Sequence, residues 1–236
     1  MRSVGTKPTT YKSVKSFMAK KGMLLISAVM AVTIFVVVAC NGSAKRESTN
    51  GDTPSAQQPE DSTLQHATFA LGCFWHSEEM FLEIKGVKNA WPGYCGGTET
   101  DPSYEMVGSG ETRYAESVEV EYDSTQISYQ KLLEVFFAEH DPTTLNRQGP
   151  DEGPQYRSAI FYHTPEQKQE AEAYISQISG KYSSPIVTQV ALFTGFHRAE
   201  DYHMRFYRNH PDQGYIVAVT KPEVEKFRRD FPELVK

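Results

Sequence analysis

The stretch TFALGCFWHSEEMF, Thr68 to Phe81, decides how this chain is read. A short apolar run climbs to a glycine, and a cysteine, two large aromatics and a helical pattern follow. A strand ending at Gly72 and a helix starting at Cys73 put the thiol at a helix N-terminus. Unpaired amides and the helix dipole favour a thiolate there, so a lowered thiol pKa is expected. The thiolate is the nucleophilic form. Phe74 and Trp75 are adjacent and cannot share one helix face, so at least one turns toward whatever Cys73 attacks. An aromatic wall beside a nucleophilic sulfur suits a small, polarisable group such as a methyl on sulfur.

Outward from that stretch, CFWHSEEMFLEIK reads as a helix with Glu78 and Glu79 early, Lys85 last and Gly86 as its stop. VKNAW extends before the turn-rich PGYCGGTETDPS. AESVEVEYD alternates and predicts a strand with one buried face. SYQKLLEVFFAEH carries Leu132, Leu133, Phe136 and Phe137 at helical spacing, with Ser128 as N-cap. After the loop DPTTLNRQGPDEGPQ comes the strand YRSAIFY. Thr164, Pro165 and Gln167 then form a helix start. PIVTQVAL predicts another strand and RAEDYHMRFYRN a final helix. The order β-α-β-β-α-β-α-β predicts an α+β fold. The expected architecture is a two-layer sandwich, a ferredoxin-like core with a mixed sheet, extra helices and long loops.

The N-terminal quarter is of another kind. Met23 to Cys40 holds no charged residue, and Lys20 and Lys21 precede it. That is the pattern of a signal peptide, although its length also admits an uncleaved helical anchor. Val37, Val38, Ala39 and Cys40 resemble the lipobox of bacterial lipoproteins, in which the peptide is cut before the cysteine and the cysteine carries lipid. Three parts are therefore expected: a signal peptide over 1–39, a lipidated tether over 40–66, and a catalytic domain over 67–236. The tether's polar Ser-, Thr-, Gln- and Pro-rich composition cannot offset its ordering entropy. Residues 1–39 hold six basic residues and no acidic one, so removing them takes the net charge from −6 to −12. An acidic chain is a poor nucleic-acid partner. An exported, membrane-anchored monomer in a bacterial cell envelope is expected.

GCFW resembles the signature of the type A peptide methionine sulfoxide reductases. The similarity continues through GY-x-GG (Gly93 to Gly97), PSYEMV-x-SG, AESVEVEYD, HDPTTLNRQG-x-D-x-G-x-QYRSAIFY and F-x-x-AEDYH, from Thr68 to His210. Several spaced motifs in order are far more specific than four residues. The resemblance implies reduction of the S epimer of methionine sulfoxide, in oxidised proteins or as the free amino acid. It also implies site roles. Cys73 attacks the sulfoxide sulfur and becomes a sulfenic acid. Phe74 and Trp75 hold the methyl, and Glu116 donates a proton to the oxygen. Tyr104 and Tyr156 hydrogen-bond that oxygen, and Asp151 supports the site. Residue chemistry agrees, because the oxygen gains negative charge and a carboxyl can donate only if burial keeps it protonated.

No cofactor is expected. His197, His203 and His210 lie close in sequence, but no metal-ligand spacing accompanies them, so no metal is expected. A thioredoxin-like or other thiol must return Cys73 to its reduced state. Two departures from the family pattern matter. Where many members carry a resolving cysteine after a GY, this chain has Ile216. Cys95 is then the candidate resolving thiol. It also reads as a small turn residue, as a structural partner that would silence Cys73, or as a bystander while an external thiol acts directly. His76 stands where a small residue is usual, and either tunes the thiolate or faces solvent. A thiol peroxidase and a non-catalytic binding lipoprotein are the competing functions.

Overall fold

The structure is a computed structural model that describes residues 63–236. The expected signal peptide over 1–39, the lipid attachment point Cys40 and most of the tether lie outside the described residues. Strand β1 runs Leu64–Leu71, so Leu64, Gln65 and His66 belong to the sheet rather than to a tether ending at 66. The Gln167 side chain fixes this start by donating to the His66 carbonyl at 2.7 Å.

Helix α1 (Phe74–Leu82) follows β1, then β2 (Val87–Cys95), the short helix α2 (Tyr104–Gly108) and β3 (Ala115–Asp123). Helix α3 (Tyr129–Ala138) begins at Ser128, whose side chain accepts from the Lys131 amide. A small hairpin, β4 (Arg147–Gln148) and β5 (Asp151–Glu152), precedes β6 (Ser158–Tyr162). Helix α4 (Pro165–Ile178) starts at Thr164, which accepts from the Gln167 amide. Strands β7 (Gln189–Leu192) and β8 (Phe196–Arg198), helix α5 (Phe206–Asn209) and helix α6 (Lys221–Asp230) complete the described chain.

One six-stranded sheet is ordered β7-β6-β1-β3-β2-β8. Its four central strands are antiparallel neighbours, connected β1-α1-β2 and β3-α3-β6, which is the ferredoxin-like arrangement. Strand β7 is parallel to β6 through the α4 crossover, making the sheet mixed, and β8 extends it beyond β2. Alternation sorts side chains between the two faces. Phe69, Val118, Val120 and Ile160 share one buried cluster with Met80 and Phe81 of α1, Leu132, Leu133 and Phe136 of α3, and Ala171 and Ile178 of α4. Phe69 stacks between Phe81 and Phe136, at 5.3 and 5.2 Å. Burying an aromatic of this size contributes roughly 2–3 kcal/mol. The opposite face carries a smaller cluster of Ala70, Cys95, Ala115, Ala159 and Phe161.

Helix α1 is enclosed on nearly all sides. Glu78 and Glu79, 1% and 3% exposed, do not serve its N-terminal dipole. Glu78 accepts from the Arg205 backbone amide and guanidinium, and Glu79 from Arg208. This tie corrects the final helix expected over 198–209. Pulling the Arg205 amide onto Glu78 leaves that residue left-handed, at φ 56, and divides the segment. One 3-10 turn over Asp201–His203 and the four-residue α5 remain. The chain then re-enters through a π-helical turn, Ile216–Thr220, that leads into α6. Sequence patterning pointed to neither element.

Candidate active site

Strand β1 carries the chain into Gly72, whose φ of +94° turns it toward α1. A Cβ there would sit 2.7 Å from the Gln148 side chain, so the turn requires glycine. Cys73 is the N-cap of α1, with extended backbone angles. Its carbonyl accepts from the Ser77 hydroxyl at 3.1 Å. The thiol is half-buried and free, and opens on a cavity of about 250 Å³. Trp75, Tyr104, Glu116, Asp151 and Tyr156 line the same cavity, joined by Gln213 and Tyr215.

Each wall has a separate origin. Glu116 lies on β3 beside Tyr94 of β2, and its carboxylate accepts from the Phe74 amide at 3.1 Å. Tyr104 starts α2, and its amide donates to Glu200 at 2.8 Å. The other oxygen of Glu200 accepts from the Tyr94 hydroxyl, also at 2.8 Å, so one carboxylate ties α2 to the sheet. Tyr156 closes a 3-10 turn whose Gln155 side chain donates to the Gly108 carbonyl. Asp151 sits in β5 and accepts a hydrogen bond from the Tyr215 hydroxyl.

The two aromatics after the cysteine divide their work. Trp75 lines the cavity, stacked on Phe206 at 3.9 Å and 9°, with its indole N–H donating to His203 Nδ1 at 3.0 Å. Phe74 is 1% exposed and packs against Tyr94, Tyr104 and His203 behind that wall. It does not line the cavity in this structure, and it backs Trp75 and Tyr104, which do.

Electrostatics overturns the expected thiolate. Burial, and then the Glu116 charge, push the Cys73 thiol well above its ordinary value. The backbone hydrogen bond at Trp75 opposes this less strongly. The first free amide of α1 is spent on Glu116 rather than on sulfur. Glu116 itself is pushed up to about 8, chiefly by burial and also by Asp151. Burial raises Asp151 and the Tyr215 hydrogen bond lowers it. Tyr104 is pushed up to about 12 by burial and by Glu116, and Tyr156 is raised further by the same causes. The resting site is thus a thiol, a buried carboxyl able to hold its proton at neutral pH, and phenols that remain donors.

Cys95 is not brought to Cys73. Tyr94 and Glu116 are directly paired and face Phe74, whereas Cys95 and Ala115, the next pair, face the other side of the sheet. There Cys95 is fully buried with Ala70, Ala159 and Phe161, and its thiol donates to the Gly195 carbonyl at 3.2 Å. Burial pushes its pKa up to about 12. The expected resolving role, and a structural disulfide with Cys73, are both at odds with this placement.

His76 faces neither solvent nor sulfur. It is 3% exposed, with Nδ1 3.7 Å from Glu223, and burial with His140 and Lys226 pushes it down to about 4. His203 and His210 are occupied by aromatic packing on Trp75 and Phe206, and His197 lies on β8 against Tyr114. Among the described residues no group of three or more His, Cys, Asp or Glu is placed to hold a metal.

Sequence reasoning missed Tyr215, Gln213, Glu200 and His203 as parts of the site. Glu200 and His203 stood in the quoted AEDYH motif, whose pattern signals position but not partner. Tyr215 stood in the GY noted only for the residue after it.

A family model described as peptide methionine sulfoxide reductase matches residues 65–234. The peptide methionine sulfoxide reductase MsrA 2 of Synechocystis is 48% identical over 175 residues, covering 73% of this chain and 82% of that protein. MsrA of Deinococcus radiodurans is 44% identical over 200 residues, covering 83% and 94%. Among solved structures, reduced Mxr1 from Saccharomyces cerevisiae matches with a TM-score of 0.63 at 34% identity, over 66% of this chain and 90% of that one. Methionine sulfoxide reductase A of Corynebacterium diphtheriae matches with a TM-score of 0.59 at 32% identity, over 66% and 77%.

Proposed function

This chain belongs to the peptide methionine sulfoxide reductase family and reduces methionine sulfoxide to methionine, and we propose that Cys73 is the nucleophile and Glu116 the acid. One observation carries this assignment. A buried carboxyl with pKa near 8 sits on the backbone amide next to the cysteine, at 3.1 Å, on one shared cavity.

Cys73 sulfur attacks the sulfoxide sulfur while Glu116 gives its proton to the oxygen. Tyr104 and Tyr156 donate to the same oxygen as it gains charge. Trp75 meets the methyl, an apolar group facing an indole held on both sides. Collapse leaves the oxygen on Cys73 as a sulfenic acid and releases methionine. Two electrons pass from the cysteine sulfur to the substrate sulfur. The proton lost by the thiol replaces the one Glu116 surrendered, so this half-reaction consumes none. Oxidised proteins and free methionine sulfoxide are substrates, as the S epimer. Cys73→Ser should abolish methionine formation and Glu116→Gln should lower it about 10²–10⁴-fold. Methionine formation by Cys73→Ser would refute the assignment.

The reductant is an external thiol that reaches Cys73 directly. This reading rests on Cys95 facing away and on Ile216, 1% exposed, standing after Tyr215. The thiol forms a mixed disulfide with release of water, and a second thiol frees Cys73. A dithiol of thioredoxin type fits the requirement for two thiols.

The chain acts at a bacterial envelope, tethered by lipid on Cys40 as a monomer. The charge-free run to Val37-Val38-Ala39-Cys40 behind Lys20 and Lys21 supports this reading. Fatty-acid labelling that persists in Cys40→Ser would overturn it.

A further inference from the structure

Resting on the sulfenic-acid chemistry just proposed, we infer that Tyr215 is a further catalytic residue. Together with Asp151 it delivers the proton that turns the Cys73 sulfenic hydroxyl into leaving water when the external thiol attacks.

The Tyr215 hydroxyl donates to Asp151, and both line the cavity on which the Cys73 thiol opens. Its ring meets Trp75 edge-on at 5.7 Å and 78°. The segment that carries it is braced. The Ile216 amide donates to the Gln213 side chain at 2.9 Å, the Val217 amide donates to the Gln213 carbonyl at 2.9 Å, and Ile216 is buried. Tyr215 is therefore held in the wall of the cavity it shares with Cys73.

A phenol oxygen has one proton and two acceptor sites. At rest that proton is used on Asp151. The oxygen of the sulfoxide is served by Glu116, Tyr104 and Tyr156 during the first half-reaction. The second half-reaction makes a different demand. The attacking thiol must lose its proton, and the S–O bond breaks only if the departing hydroxide gains one. Asp151, whose carboxyl burial biases toward the neutral form, takes up the thiol proton. With Asp151 protonated the hydrogen bond reverses: Asp151 donates to Tyr215, and Tyr215 donates to the sulfenic oxygen. The S–S bond forms, the S–O bond breaks and water leaves. Cys73-SOH and one thiol become a mixed disulfide and water with no proton left over.

The test separates the half-reactions. Methionine formed in one turnover without reductant measures the first. Loss of the dimedone-reactive Cys73 sulfenic acid on adding dithiothreitol measures the second. Tyr215→Phe and Asp151→Asn should each slow the second at least tenfold more than the first, and Asp151→Asn should flatten its pH profile. Equal slowing of both half-reactions in both variants, or no slowing of the second, overturns the role of Tyr215 alone. Absence of methionine from the wild-type turnover overturns the proposed sulfenic-acid chemistry and this inference with it.

Discussion

The Glu116 carboxylate accepts the Phe74 amide at 3.1 Å, so the N-terminus of α1 holds an acid where sequence reasoning placed a thiolate. Two anions cannot both be favoured at that terminus. Glu116→Gln should therefore lower the Cys73 thiol pKa while it removes the proton donor. Alkylation rate against pH reads the thiol. An unchanged midpoint in the variant would show that Glu116 does not hold Cys73 protonated.

His203 accepts the Trp75 indole N–H, and its other nitrogen has no hydrogen-bond partner in the interior. Removing the acceptor leaves a desolvated donor, at a cost of about 1–3 kcal/mol. His203→Ala should show that loss in urea unfolding and raise KM for methionine sulfoxide more than it lowers kcat. A wild-type KM with Trp75 present would mean that the indole is positioned by Phe206 alone.

Cys95 should be dispensable for turnover. Its thiol is enclosed whereas Cys73 opens on the cavity, so native protein at pH 8 should resist alkylation at Cys95 while Cys73 reacts. Cys95→Ser keeps a donor for the Gly195 carbonyl, and steady-state activity with dithiothreitol should stay within about twofold. A tenfold loss of activity would restore a resolving role.

Acid stability should carry the signature of buried rings. His140 bonds the Phe136 carbonyl and the Ser158 hydroxyl, and burial pushes it down to about 4. The unfolded ring takes up its proton near 6.5 and the folded ring near 4, so stability is full above 6.5 and falls as pH drops between these values. Glu116 acts oppositely. Its folded carboxyl keeps to about 8 a proton that the unfolded chain gives up near 4.5, so its contribution is lost as pH rises through that window. Replacing His140 by Gln should reduce the slope of unfolding free energy between pH 6.5 and 4 by one proton's worth, about 1.4 kcal/mol per pH unit. An unaltered slope would place the titration elsewhere.

Local chemistry was legible where the chain's neighbours in sequence decide it. The alternation of Ala115–Asp123, the Ser128 cap and the glycine-to-cysteine turn are each specified within a few residues. What failed depends on distant partners. Nothing in RAEDYHMRFYRN announces that Glu78, 127 residues earlier, will capture the Arg205 amide and divide the helix. The thiol pKa likewise depends on distant partners, since burial and the charge of Glu116 on β3 raise it more than the Trp75 backbone hydrogen bond lowers it. Two residues of the GY-x-GG turn, Tyr94 and Cys95, differ in fate only through sheet register, which places one under the site and the other on the far face.

The central claim is that one sulfur, Cys73, takes the oxygen without help from Cys95. A single turnover of the S epimer, with no reductant, tests it most directly, followed by dimedone trapping and thiol mapping by mass spectrometry. The account predicts one methionine per chain, a trapped sulfenic acid on Cys73 and an unmodified Cys95 thiol. A Cys73–Cys95 disulfide, or methionine released with Cys73 still a thiol, would contradict it.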